Sequence, residues 1–97
     1  MSQDIQARES GMRAGVVLRP ERFDEVTRIM GCTSEAARAR LLGVDPKTIY
    51  RARHGILGEE FIAKVIDAMR ANEPVLNAAG IDVDFEEVFE VGEKPAA

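Results

Sequence analysis

Cysteine, histidine and aromatic residues are scarce in this chain of 97 residues. Its only cysteine is Cys32 and its only histidine is His54, which excludes an intrachain disulfide and a zinc site with the usual Cys and His ligands. Tryptophan is absent, tyrosine occurs once and phenylalanine four times. The core must therefore be built mostly from aliphatic side chains.

Long apolar segments and catalytic motifs are also missing. No apolar run approaches the roughly 18 residues of a membrane span. The first residues lack the apolar centre of a secretory signal, so we expect a cytoplasmic protein. Phosphate-binding loops, nucleotide-binding glycine fingerprints and calcium-loop spacing are absent, and His54 has no acidic neighbour suited to catalysis. We predict that the protein is not an enzyme and has no metal or cofactor.

The composition suits one small domain, and its basic and acidic residues are unevenly distributed along the chain. The hydrophobic fraction of 45% is that of an ordinary globular chain. Residues 1–57 carry ten basic and seven acidic side chains, whereas residues 58–97 carry three and ten, which gives the net charge of −4. The basic first part can bind phosphates although the whole chain is acidic. The alternative is that both parts are ordinary solvated surface.

Helix start and stop signals predict five helices. The starts are capping residues or prolines, apolar residues recur at steps of three and four in the first helix and form a wide face on the fourth, and glycines mark most of the ends. The predicted helices cover 20–30, 34–42, 45–54, a segment beginning after Gly58 that includes 61–69, and 74–80. We predict an all-α domain over residues 15–91, with a flexible arm at 1–14 and a frayed tail at 92–97.

Two short segments near opposite ends of the chain favour strands. Val16–Leu18 and Val88–Val91 are rich in β-branched and aromatic residues, and chain ends tend to be close in a compact domain. The first interpretation is a minor antiparallel two-stranded ribbon that joins them. The second is that residues 84–90 form only a terminal helical turn docked on the core.

Residues 34–55 read SEAARARLLGVDPKTIYRARHG and have the helix-turn-helix arrangement. Two helices of about eight residues are joined by a short turn at Gly43, which can adopt the left-handed conformation that such a turn needs. Ala39 is small enough for close helix approach. Val44 and Ile49 supply apolar contacts between the two helices.

This stretch resembles the lambda-repressor-like, or Cro/repressor-type (XRE), helix-turn-helix family, in particular the small regulators of actinobacteria and their phages. The resemblance covers roughly residues 20–91. Its pieces are Ala36 to Ala39, Leu42-Gly43-Val44, Thr48 to Arg51, Phe61-Ile62-Ala63 and Phe85 to Val91. It implies a sequence-specific DNA-binding transcriptional regulator of the repressor type, which acts in phage immunity or lysogeny control or as a small host regulator.

The resemblance also implies that the helix after Asp45 enters the major groove of double-stranded DNA. Arg51 suits a guanine edge, and Thr48 and the Pro46 ring suit a thymine methyl group. Basic side chains of this helix suit phosphates, as does Ser34 at the start of the preceding helix. The predicted DNA-binding residues are Ser34, Pro46, Lys47, Thr48, Tyr50, Arg51, Arg53 and His54.

Two residues of the first helix of the pair stand out. The position of Arg38 is usually apolar in the family. Either its aliphatic stem packs while the guanidinium reaches solvent, or this helix is rotated. Glu35 would be unfavourable next to phosphate unless its carboxylate turns toward the start of its own helix.

The sequence also leads to predictions of the assembly state and of the binding partner. One short helix reads only a few base pairs, so we expect a homodimer on an inverted-repeat operator. Apolar residues beyond the needs of a core favour the same conclusion; they lie at 61–69 and at Val75, Leu76, Val88, Phe89 and Val91. The competing hypothesis is an antitoxin-like or adaptor module that keeps the helix pair and binds a protein. The net charge opposes a nonspecific architectural role.

Overall fold

The computed structural model describes residues 12–95, which form six helices and one two-stranded antiparallel sheet. The order along the chain is β1 (Met12–Leu18), α1 (Pro20–Ile29), α2 (Glu35–Leu42), α3 (Pro46–His54), α4 (Glu59–Ala71), α5 (Glu73–Ala78), α6 (Phe85–Val88) and β2 (Phe89–Pro95). Within this part of the chain, no helix combines the length and the apolar character that crossing a membrane requires. The fold is mostly helical, as predicted, with one helix more than expected.

The C-terminal segment contains a helical turn and a strand, so the ribbon interpretation is confirmed and the interpretation of residues 84–90 as a helical turn alone is wrong. Phe85–Val88 forms a single helical turn, and the strand begins directly after it at Phe89. Val16 pairs with Val91 and Leu18 with Phe89, which confirms the predicted ribbon. We call β1 and β2 together the β ribbon.

The β ribbon is longer than predicted. Pairing continues outward to Met12 opposite Pro95, so residues 12–14 and 92–95 belong to strands and not to a flexible arm or a frayed tail. The prediction followed apolar side chains, whereas a ladder of backbone hydrogen bonds continues wherever two extended chains run side by side. The rest of the predicted arm and tail, 1–11 and 96–97, lies outside the described residues.

The predicted caps of the helix pair are observed. The Ser34 side chain accepts a hydrogen bond from the Ala37 N–H at 3.1 Å, and Asp45 accepts one from the Lys47 N–H at 2.8 Å. Gly43 ends α2 with φ 67°, in the left-handed region that favours glycine. These local hydrogen bonds set where α2 ends and α3 begins.

The core lies between the helices and the base of the β ribbon. Its fully buried side chains are mainly aliphatic, as expected from the composition. The fully buried apolar residues are Leu18, Phe23, Val26, Ile49, Val65, Met69, Leu76, Val88 and Phe89, and the one fully buried polar residue among residues 12–95 is Thr27. Leu76, Val88 and Phe89 were counted as surplus for a dimer interface, and that assignment is wrong because they fill the protein's own core. Val75 and Val91 are exposed, by 46% and 77%.

Candidate nucleic-acid interface

Helices α2 and α3 are held together by a small apolar contact beneath a tight turn. Ala39 and Leu42 of α2 and Ile49 of α3 are all buried. The Val44 N–H donates to the Ala39 carbonyl at 3.0 Å, which folds the turn back onto α2. This packing leaves the opposite side of α3 open to solvent.

That open side carries four polar side chains in a line. Lys47, Tyr50, Arg51 and His54 are exposed and follow the i, i+3, i+4, i+7 spacing of one helix face. We call them the α3 stripe. Within residues 12–95, neither Lys47 nor Arg51 has a carboxylate close enough for an ion pair. Both cations are therefore available to an external anion.

Tyr50 and His54 are ordered by each other. Their ring centroids are 4.3 Å apart, and His54 Nδ1 lies 2.7 Å from the Tyr50 carbonyl oxygen. A carbonyl only accepts, so Nδ1 is the protonated nitrogen of this pair. Nε2 is then left to accept a hydrogen bond. The stripe thus ends in a partly prearranged aromatic pair.

The beginning of α3 is less suited to phosphate than its stripe. Pro46 has no N–H, and the N–H groups of Lys47 and Thr48 already donate to the side chain and carbonyl of Asp45. Pro46 is exposed and Thr48 half-buried, so both remain at the surface as predicted. Any anion at this end must therefore be bound by side chains and not by the helix backbone.

Ser34 stands at a more open helix start. Its Oγ accepts from the Ala37 N–H, which leaves the hydroxyl hydrogen free for an acceptor. The N–H groups of Glu35 and Ala36 occupy the first two helical positions, where no intrahelical partner exists. The start of α2, the first helix of the pair, therefore offers free hydrogen-bond donors.

Arg53 is placed differently from its prediction. Its side chain is only 19% exposed. Nε and Nη2 donate to the two oxygens of Glu35 at 2.9 Å each, and Nη2 also donates to Asp24 at 2.6 Å. Its guanidinium carbon lies 5.5 Å from the centroid of the Phe23 ring. The assignment of Arg53 to phosphate is corrected, because two carboxylates of the same chain already occupy its guanidinium.

Arg38 also points inward. Its Nε donates to the hydroxyl of buried Thr27 at 2.8 Å and its Nη1 to Glu35 at 3.0 Å, which leaves the side chain 12% exposed. The expectation that this guanidinium reaches solvent is wrong, since buried Thr27 and the Glu35 carboxylate accept its hydrogen bonds. Asp24, Glu35, Arg38 and Arg53 together form what we call the charge network.

The charge network redirects Glu35. Its carboxylate does not cap its own helix; although it is 44% exposed, it binds Arg38 and Arg53. The hydrogen bond from Arg53 holds the pKa of the Glu35 carboxyl below its ordinary value, and the same bond raises the pKa of Arg53. Two cations and two anions cancel here, so the exposed residues around them set the surface charge.

Sequence reasoning missed the role of Asp24 and two exposed cations, Arg28 and Arg40. Asp24 meets Arg53 across 29 residues of chain, and no local pattern marks such a partner. Arg28 in α1 and Arg40 in α2 are exposed at the ends of their helices, where cations favour the helix dipole in any case. Among residues 12–95, no group of three or more His, Cys, Asp or Glu side chains could hold a metal ion.

Comparison of the chain with protein-family models, curated proteins and solved structures found no match in any of the three.

Proposed function

We propose that this protein is a sequence-specific DNA-binding transcriptional regulator of the repressor type, with a lambda-repressor-like helix-turn-helix. The observation that carries the proposal is the α3 stripe. It has two cations without an ion-pair partner among residues 12–95, together with an ordered aromatic pair, on the open face of the second helix of a tightly turned pair. A face of this kind fits the major groove of B-DNA, which is about 12 Å wide and admits one helix.

The chemistry of each side chain suggests its role. Arg51 can donate two parallel hydrogen bonds to O6 and N7 of guanine, which gives base discrimination. Lys47 presents a single charge without fixed geometry and suits a phosphate. Thr48 and Pro46 offer apolar contact for a thymine methyl group, and Ser34 a hydroxyl for the backbone. Tyr50 and His54 extend the contact along the stripe.

The charge network supports this role because it neutralises a carboxylate that would otherwise repel DNA. Glu35 lies in the first turn of α2, next to Ser34, where a free carboxylate would repel a phosphate. Its bonds to Arg38 and Arg53 neutralise this negative charge. The same bonds tie α3 to α1 and α2, so the stripe is presented on a rigid support.

Assembly on DNA follows from the size of the reading surface. A single helix of nine residues contacts only a few base pairs, so useful specificity needs two copies on an inverted repeat. We propose a homodimer on its operator, acting in phage immunity or lysogeny control or as a small host regulator. Sedimentation of the complex with a palindromic site should give two chains per duplex, and one chain per duplex would contradict the dimer.

Selection from random duplexes tests the function directly. The full-length protein should enrich a defined motif with inverted symmetry. A variant carrying Arg51→Ala should lose preference at one position of each half-site, because the guanine contact is gone. Arg70→Ala, which removes an exposed cation on α4, is the matched control and should select the same motif as the wild type. No enrichment by the wild-type protein would refute the proposal and favour the protein-binding alternative.

A further inference from the structure

The β ribbon is attached to the C-terminal end of α3. The Leu57 N–H donates to the Val16 carbonyl at 2.9 Å, just beyond the helix. The Lys94 ammonium donates to the Arg53 carbonyl at 3.1 Å, at the last turn of α3. One bond comes from each strand, so the ribbon and the end of α3 form one unit.

Two glycines allow this close attachment. Gly15 and Gly92 are directly opposite each other in the ribbon. A Cβ atom on Gly15 would lie 2.7 Å from Ile56 Cγ2, and one on Gly92 would lie 2.9 Å from Val17 Cγ2. Neither position has room for a side chain. Gly15 therefore lets Ile56, two residues after α3, pack against the ribbon, and Gly92 leaves room for the Val17 side chain.

The register places two cations on the same ribbon face, one step further out. Arg13 pairs with Lys94, and residues directly opposite in a sheet share a face. Faces alternate along a strand, so Arg13 lies on the face of Gly15, which is turned toward α3. Arg13 is then about 17 Å along the strand from Leu18 in the core, at about 3.4 Å per residue.

This pair of cations is costly within the protein alone. The Val16 carbonyl is turned outward to Leu57, so the alternate residues, including Arg13 and Lys94, form hydrogen-bonded pairs about 5.5 Å apart at Cα. Like charges directly opposite destabilise a sheet. In residues 12–95 neither cation has a carboxylate within ion-pair distance.

The acidic residues of β2 are placed elsewhere. Glu93 pairs with Ala14, so it lies on the other face of the ribbon. Glu90 pairs with Val17 and so shares the face of Arg13 and Lys94, but it lies at the ribbon base, where it lines a surface pocket with Arg19 and Arg22. The outer part of the face turned toward α3 therefore carries two positive charges, and one of them, Lys94, comes from the otherwise acidic part of the sequence.

We propose that the β ribbon is a second DNA-binding element, in which Arg13 and Lys94 bind the phosphates that flank the base pairs read by α3. The inference rests on the proposed function and adds a contact outside the helix pair. A polyanion offsets the repulsion of the cation pair, and the attachment at Leu57 and Lys94 sets the position of the ribbon relative to the α3 stripe. The contact carries no base specificity, because it is made to the backbone.

The test measures binding of the selected operator as a function of salt. Each phosphate contact contributes a slope of about 0.9 in log affinity against log salt, so Arg13→Gln should lower the slope by about one. When the salt is lowered from 1 M to 0.1 M, the affinity of Arg13→Gln should therefore rise roughly eightfold less than the affinity of the wild type. The base preference should not change. Arg70→Gln, with the same change of charge on α4, is the control and should leave the slope unaltered.

Duplex length separates a ribbon contact from a general charge effect. On an operator trimmed to the base pairs read by α3, Arg13→Gln and the wild type should bind equally. The ribbon contact would be overturned if Arg13→Gln had the same salt slope as the wild type on the long duplex, or if it lost the same affinity on the long and trimmed duplexes. Either result would leave the proposed function intact. If the wild-type protein binds no selected duplex, the proposed function and the ribbon contact both fail.

Discussion

Removal of the Arg53 guanidinium should show how much the charge network contributes to stability. In Arg53→Met the side chain keeps its apolar stem, whereas Asp24 and Glu35 lose a shared partner. Exposed ion pairs contribute about 0.2–1 kcal/mol, and breaking a buried pair costs about 3–5 kcal/mol. Here the arginine is 19% exposed and the two carboxylates are about 45% exposed, so the site lies between these limits.

We expect the free energy of unfolding to fall by about 2 kcal/mol, which includes the lost contact with the Phe23 ring. For a domain of this size, such a loss lowers Tm by roughly 8–16 °C. Urea unfolding and thermal scans at pH 7 measure both quantities. The matched control is Lys64→Met, which breaks the exposed pair with Glu60 and should cost less than about 0.5 kcal/mol.

A double-mutant cycle with Glu35→Gln isolates the pair itself. The coupling energy between positions 35 and 53 should be favourable and larger than that between positions 60 and 64. Arg53→Met with the stability of Lys64→Met and no coupling to position 35 would refute the reasoning. The charge network would then be only a surface arrangement.

Three further predictions follow from the same contacts. The Glu35 pKa is lowered in the folded protein from an ordinary value of 4.5. The ionised carboxylate therefore contributes its full stability well above pH 4.5, and this stability is lost as pH falls through the folded pKa. The difference in unfolding free energy between the wild type and Glu35→Gln should shrink over that acid range and stay constant from pH 6 to 8. Gly15→Ala should destabilise the protein by about 1–3 kcal/mol in urea unfolding, because its Cβ meets Ile56, and should cost less in an Ile56→Ala background. In titrations of the selected operator and its single-base variants, Arg51→Ala should lose about 1–3 kcal/mol of discrimination at one base pair, whereas Lys47→Ala should weaken all duplexes alike; identical behaviour of the two variants would contradict their assigned roles.

The sequence by itself determined the helix pair, because its signals are local. Ser34 and Asp45 cap N–H groups two or three residues away, and Gly43 ends α2 through its own backbone conformation. Each of these bonds joins near neighbours, so residue type and spacing are enough to predict it. The α3 stripe follows from the same helix spacing, and all four of its residues were predicted to be part of the site.

Only the tertiary structure decided between arginines of similar local context. Arg51 and Arg53 are two residues apart on one helix, yet the first faces solvent and the second is enclosed by Asp24 and Glu35. The partners of Arg53 come from α1 and α2, and no spacing rule links them to it. The length of the β ribbon has the same origin, since Met12 pairs with Pro95 almost at the other end of the chain. Contacts between distant segments depend on how the helices pack, and that packing is not encoded in any short stretch of residues.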